Sequence, residues 1–289
     1  MYKIAILGCE NSHANHFLEL IRQGEYPDIE VAGIYSNEPE AAKKLHDAYG
    51  VPILDHYADM VGKVDGIMIT ARHGDNHYKY AKPYMDDGIP MFIDKPITCL
   101  ESDAEEFMDE AERKGVRLCG GSTCAGYPNT VKLAAAVRDK AVGEIRGGTL
   151  VCPFYFDSPY GGFYFYAQHL VEIMTTIFGV EAERVFACRG TDELTFVAQY
   201  DGFSVTGKYL EGGKYYSASV YGSEGMMCEE LTGYGDSFKN EMNDMLSLLR
   251  GEGMKKSRKD FVKPVYIMNA ILRSLDSGKW ETVGSYEQK

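Results

Sequence analysis

Lys95 sits at the end of Met91-Phe92-Ile93-Asp94-Lys95-Pro96, a short apolar run closed by an acid, a lysine and a proline. The run has the length and character of a buried strand that delivers a charged pair to the edge of a sheet, and Pro96 biases Lys95 towards an extended backbone. An ammonium held there suits proton transfer, because ligands of open α/β sheets gather outside the carboxyl ends of the strands. Work near neutrality requires its pKa to fall by about 3 units, roughly 4 kcal/mol, which burial beside a second cation supplies. A surface lysine at a strand end is the plain alternative.

The turn Ile6-Leu7-Gly8-Cys9-Glu10-Asn11-Ser12-His13 runs from a strand pattern directly into a helix pattern, the place where a dinucleotide fold sets its pyrophosphate. That fingerprint asks for glycine at three places. Gly8 fills the first, while Glu10 and His13 occupy the others. A carboxylate about 4 Å from a phosphate costs roughly 4 kcal/mol at an effective dielectric near 20, so binding here requires Glu10 to point away. At the end of the second strand Ser36-Asn37 stand where an acid would hold the ribose of NAD; Ser36 suits the 2′-phosphate of NADP as well, and both cofactors stay open. Asn37 reads equally as the cap of the next helix. Arg72, in Thr70-Ala71-Arg72, suits a phosphate, a carboxylate or a surface salt bridge. His13-x-x-His16 has the spacing of a metal pair and also of one helix face; no carboxylate-rich ligand set accompanies it, and no metal is expected.

These residues need a framework, and the first 122 residues offer one: β-rich runs at Lys3–Leu7, Glu30–Tyr35, Gly66–Thr70, Met91–Ile93 and Val116–Cys119 alternate with helical patterns near Ala14–Arg22, Glu38–Tyr49, Asn76–Asp86 and Asp103–Lys114. That alternation predicts βαβ units and a doubly wound parallel sheet. Ser102 and Glu105 have capping-box spacing, Gly50 and Gly115 mark helix ends, and Pro83 kinks or shortens its helix. Beyond Gly120-Gly121-Ser122 come a helix around Asn129–Asp139 and, from Arg184 to Glu230, four or five strand-like segments separated by Gly190, Gly202, Gly212-Gly213 and Gly222, read as antiparallel hairpins. Amphipathic helices near Ser237–Leu249 and Asp260–Ser277 follow. The expected division is 1–122 and 123–289, an α/β protein whose second domain is α+β.

Between the two patterns lies an aromatic-dense stretch that includes Tyr155, Phe156, Tyr160, Phe163, Tyr164, Phe165 and Tyr166. Most of these rings read as core; Tyr155, Asp157 and Tyr160 are the candidates to meet a small-molecule substrate, through ring faces and polar tips. A formal charge of −13, with Lys and Arg scattered, argues against a nucleic-acid partner. The seven cysteines (Cys9, Cys99, Cys119, Cys124, Cys152, Cys188 and Cys228) are odd in number and lack CxxC spacing, so reduced thiols are expected. No membrane span or leader is recognisable, and a cytoplasmic location is expected.

The chain resembles the Gfo/Idh/MocA oxidoreductases, which include glucose–fructose oxidoreductase and inositol dehydrogenase. The resemblance covers nearly the whole length: Lys3–Gly8, Tyr35–Val51, Asp94-Lys95-Pro96 where the family has Glu-Lys-Pro, Gly143-Glu144-Ile145, Gly161–Gly179 and the final helices to Val283. It implies a Rossmann domain that binds NAD or NADP through Gly8, Cys9, Glu10, Asn11, Ser12, His13, Ser36, Asn37, the Thr70-Ala71-Arg72 loop with His77, and Asp94 and Lys95. It also implies a second domain whose open, mainly antiparallel sheet builds the substrate site and often a dimer interface. In such enzymes the lysine, here Lys95, aids removal of the hydroxyl proton from a sugar or cyclitol while hydride passes to the nicotinamide.

The family helix pattern Gly-Gly…Asp-x-x-x-His-x-x-Asp appears as Gly161-Gly162…Phe165…His169…Glu172. His169 matches, Glu172 replaces the last aspartate, and Phe165 stands where the catalytic aspartate would be. Helical spacing keeps the three on one face, so Glu172 supplies the acid one turn later. Thr123-Cys124 replace a frequent Tyr-Arg. The implied activity is NAD(P)-dependent oxidation of a polyhydroxylated small molecule, with Lys95, His169 and Glu172 catalytic, and Lys95, Tyr155, Asp157, Tyr160 and His169 at the substrate. A redox-assisted lyase or glycosidase with retained NAD, and a non-catalytic sugar or nucleotide sensor, are the rivals. A homodimer or homotetramer is expected from tyrosines in Lys214–Tyr221 on the exposed sheet face.

Overall fold

The computed structural model describes residues 1–284 and divides the chain into two compact units. The first comprises Met1–Thr98, Asp103–Gly121 and Phe238–Ser257; the second comprises Cys99–Ser102, Ser122–Ser237 and the chain from Arg258 onward. The expected single division near residue 122 leaves out the return of Phe238–Ser257 to the first unit.

In the first unit the order is β1 (Tyr2–Leu7), α1 (Ser12–Arg22), β2 (Ile29–Tyr35), α2 (Pro39–Tyr49), β3 (Gly66–Ile69), α3 (Asp75–Ala81), β4 (Met91–Asp94), α4 (Glu101–Lys114) and β5 (Leu118–Gly121). The five strands form one parallel sheet in the order β2-β1-β3-β4-β5. Ile67, Met68 and Ile69 of β3 and Met91, Phe92 and Ile93 of β4 are all buried, as strands covered on both faces must be. Pro83 ends α3 as expected, and a 3-10 turn over Lys82–Asp87 continues the chain. Two local expectations are corrected. Helix α4 opens at Glu101, so Ser102 lies within its first turn rather than ahead of it. Helix α2 opens at Pro39 with Glu38 at the N-cap position, whose side chain makes no capping hydrogen bond, so Asn37 is not the cap.

The second unit carries α5 (Pro128–Arg138), β6 (Ile145–Phe154), α6 (Tyr164–Phe178), β7 (Arg184–Arg189), β8 (Glu193–Tyr200), β9 (Phe203–Glu211), β10 (Ser217–Gly222) and β11 (Met226–Glu230). Helices α7 (Tyr234–Leu249) and α8 (Arg258–Ser277) and the short β12 (Glu281–Thr282) complete the chain. Its seven strands run β11-β10-β6-β9-β8-β7-β12, antiparallel throughout except for β6 beside β9. The hairpins β7-β8, β8-β9 and β10-β11 follow the glycine turns, but β6 lies between β9 and β10, so the run is not one continuous meander. Leu194, Phe196, Ala198 and Tyr200 of β8 are buried while the residues between them are half-exposed, which is the period of a sheet covered on one side. Helix α6 supplies cover, with Tyr209 Oη donating to the Ala167 carbonyl at 2.8 Å.

Most of α7 packs in the first unit through Phe238, Met242, Met245 and Leu248, spaced to share one helix face, against a core that includes Ile4, Phe17, Met68 and Phe92. A side chain at Gly66 would meet Met245 Cε at 2.6 Å, so this position in β3 must be small for the helix to seat.

Candidate functional site

In the first unit the sheet order reverses between β1 and β3, the place where open parallel sheets bind ligands. Gly8 closes β1 with φ +79°, and a Cβ there would meet the Ala71 backbone at 2.4 Å. Only glycine permits that approach. Thr70 Oγ1 donates to the Gly8 carbonyl at 3.0 Å, and the Gly8 and Cys9 amides donate to the Tyr35 carbonyl at 2.8 and 2.9 Å, so three strand ends are tied together. Burial pushes the Cys9 thiol up to about 12, with the Glu10 charge adding to it, so this cysteine is not a nucleophile.

Helix α1 starts from Asn11, whose Oδ1 accepts from the His13 amide and the Ser12 hydroxyl, and no acid occupies its first turn. Its positive end is thereby kept open to an anion. Glu10 is drawn aside: Oε2 accepts from the Ser36 hydroxyl at 2.7 Å and Oε1 from the Arg72 amide at 3.0 Å. Cys9, Glu10, Ser12, Glu38, Lys44 and Arg72 are among the residues lining a groove of about 350 Å³. Helix end, cations and groove size fit a dinucleotide, small-molecule sites being about 300–1,000 Å³. Asn37 is exposed.

His13 faces the opposite way. Its Nδ1 lies 2.9 Å from Asp94 Oδ2. Asn11 Nδ2 donates to the same oxygen at 2.9 Å, and Asp94 Oδ1 accepts the Lys95 amide at 2.7 Å. Burial alone pushes the Asp94 carboxyl up, but His13, and further off Lys95 and His77, bring it down to about 2. Lys95 itself is 4% exposed, and its peptide bond to Pro96 is cis. His77, expected to border the nicotinamide, is wholly buried and makes no groove surface. Its Nδ1 lies 2.5 Å from the Pro96 carbonyl and its Nε2 2.8 Å from that of Ala71. Burial lowers its pKa, against the opposing pull of the Asp94 charge and of the two carbonyls, and the ring is an inner strut between two loops. His16 stacks on Phe238 at 4.2 Å.

The second unit holds a separate cluster. His169 and Glu172 lie on α6 and are buried, and Ser122 joins them: its hydroxyl is 2.7 Å from His169 Nδ1 while its amide donates to Glu172 Oε2. Ser122 Oγ also accepts the Cys124 amide at 3.2 Å, which caps the turn Thr123–Gly126. Sequence reasoning used Ser122 only as a boundary mark; a hydroxyl directly after a Gly-Gly strand end was the available signal. Thr123 and Cys124 are buried. Tyr166 packs edge-on against His169 at 5.2 Å, Phe165 packs with Tyr160 at 5.3 Å, and Tyr155 packs with Tyr166 at 5.1 Å. Tyr155 and Asp157 are exposed and Tyr160 is half-buried.

Residues 2–122 match the model of the Gfo/Idh/MocA oxidoreductase family, NAD-binding Rossmann fold. No curated protein matches the chain. Solved structures share the fold at low identity. One is a proposed myo-inositol dehydrogenase from Sinorhizobium meliloti, 16% identical over 98% of this chain and 100% of that one, with a TM-score of 0.85. Another is myo-inositol dehydrogenase from Corynebacterium glutamicum, 17% identical over 99% and 100%, TM-score 0.82. A third is scyllo-inositol dehydrogenase from Lactobacillus casei with bound NAD(H) and scyllo-inositol, 13% identical over 98% and 99%, TM-score 0.84. Among the described residues no helix is long and apolar enough to cross a membrane. Over residues 2–122 the chain is thus similar to the Gfo/Idh/MocA oxidoreductases and their NAD-binding Rossmann fold.

Proposed function

We propose that the protein is a nicotinamide-dependent dehydrogenase of a sugar, cyclitol or related polyhydroxylated small molecule, with Lys95 as the group that takes the hydroxyl proton. The observation that carries this reading is a buried lysine directly after β4, its backbone amide held by Asp94, which also meets Asn11 and His13, at the ligand end of a parallel sheet. Bound NAD would accept the hydride from the carbinol carbon. Lys95 would take the hydroxyl proton as the ketone forms, and Asp94 would fix the backbone that carries it. We assign His169 and Glu172 to the substrate hydroxyls, with Ser122 fixing the imidazole through Nδ1. Tyr155, Asp157 and Tyr160 complete the substrate assignment, and the polyol class is supported by the scyllo-inositol bound in the Lactobacillus casei structure.

The test is oxidation of a panel of inositols and sugars with NAD and with NADP, read as nicotinamide absorbance. Stoichiometric reduction with at least one polyol is expected. A product formed without net cofactor consumption would instead indicate the lyase or glycosidase chemistry, and silence across the panel with cofactor bound would indicate a sensor. We further propose a homo-oligomer built on the half-exposed face of the seven-stranded sheet, near which Tyr215, Tyr221 and Met226 are exposed. Sedimentation at micromolar concentration checks it, and a monomer would refute it.

A further inference from the structure

In dinucleotide folds the carboxylate that binds the adenosine ribose stands at the end of the second strand. Here β2 ends at Tyr35, and the next residue is Ser36, whose hydroxyl cannot act as a charged acceptor. A carboxylate nonetheless reaches that point from the turn after β1. Glu10 Oε2 accepts from Ser36 Oγ at 2.7 Å, and Ser36 Oγ in turn accepts the Glu38 amide at 3.0 Å, which fixes the hydroxyl's direction. The Arg72 amide, after β3, holds the other oxygen at 3.0 Å. The carboxylate is therefore tethered at the ends of β2 and β3, it is 7% exposed, and it lines the groove.

We propose that Glu10, from the second glycine position of the phosphate loop, is the specificity carboxylate for the adenosine ribose, accepting the 2′- and 3′-hydroxyls of NAD and repelling the 2′-phosphate of NADP. The inference rests on the cofactor reading above and deepens it. A carboxylate offers about four acceptor directions, and Ser36 and Arg72 occupy two, which leaves capacity for a vicinal diol. Its tethers are a neutral hydroxyl and a neutral amide, so its negative charge is not cancelled by either. Lys44 and Arg72 line the same groove, and their charge favours the pyrophosphate that both cofactors share. Discrimination is left to the acid.

Titration of the full chain with NADH and with NADPH at fixed ionic strength, followed by cofactor fluorescence and calorimetry, tests the assignment without any turnover. The wild type is expected to bind NADH at least about 30-fold more tightly than NADPH. Glu10→Gln keeps the shape and removes the charge, and should narrow the ratio to below about fivefold, chiefly by gaining NADPH. ADP-ribose and its 2′-phosphate should compete with the same preferences. Equal binding, a preference for NADPH, or a ratio unchanged in E10Q would overturn the assignment while leaving the cofactor reading intact. Failure of the folded wild type to bind either nucleotide would overturn both. Should E10Q not fold, the wild-type ratios and the competition pair still decide.

Discussion

Two residues at the β1–α1 junction depart from the glycine pattern in the same way, each putting a bulky polar side chain where the pattern asks for glycine, and the structure resolves them differently. Glu10 is held by a hydroxyl and an amide, both neutral, and keeps its charge for a ligand. His13 sits against the buried carboxylate of Asp94, which is thereby paired inside the protein. The difference separates recognition from scaffolding. A carboxylate with neutral tethers can read a ligand, whereas a paired and desolvated one mainly holds structure.

The sharpest way to break this comparison is to remove each side chain in turn. His13→Ala leaves Asp94 buried without its imidazole partner and should cost about 3 kcal/mol in urea denaturation, whereas Glu10→Gln, which keeps a polar group for Ser36 and Arg72, should cost under about 1 kcal/mol. Costs in the reverse order would mean that Glu10 is the structural member. Next in size is the pH dependence. Because the folded pKa of Asp94 is depressed to about 2 from an unfolded value near 3.9, its contribution of about 2 kcal/mol is complete above pH 4 and lost as pH falls through 2. Asp94→Asn should therefore be less stable than wild type by about that amount at pH 7, and the gap should close on acidification. A gap that persists at pH 2 would show that packing, not charge, is responsible.

Smaller effects sharpen the contrast between the units. Ser122→Ala should lower kcat by about tenfold and lower stability by about 1 kcal/mol, because the imidazole of His169 loses its Nδ1 partner. A change confined to stability would reduce Ser122 to the cap of its turn. Cys188 and Cys228, the exposed pair, should react readily with a thiol reagent, and the five buried cysteines only after unfolding.

Much of the framework was legible because strands covered on both faces must be continuously apolar. Ile4–Leu7, Ile67–Ile69 and Met91–Ile93 announced themselves, and their ends fell within a residue or two of expectation. The partner of α7 was not legible, since Phe238, Met242, Met245 and Leu248 define a face but not what it covers. The place of β6 between β9 and β10 was hidden for a similar reason, as alternation gives faces and not strand order. At the site, strand ends pointed to Lys95, Asp94 and the turn after Gly8. Spacing could not say that Glu10 reaches Ser36, that His13 reaches Asp94, or that His77 is buried between two carbonyls, because loop direction depends on packing across strands.

The central claim is that the Lys95 ammonium moves the substrate proton, and steady-state kinetics of Lys95→Met beside a fluorescence titration with NADH tests it directly. With the fold verified by circular dichroism, kcat for the best polyol should drop by at least about 1,000-fold while the Kd for NADH stays within about threefold. Turnover at the wild-type rate would contradict the account.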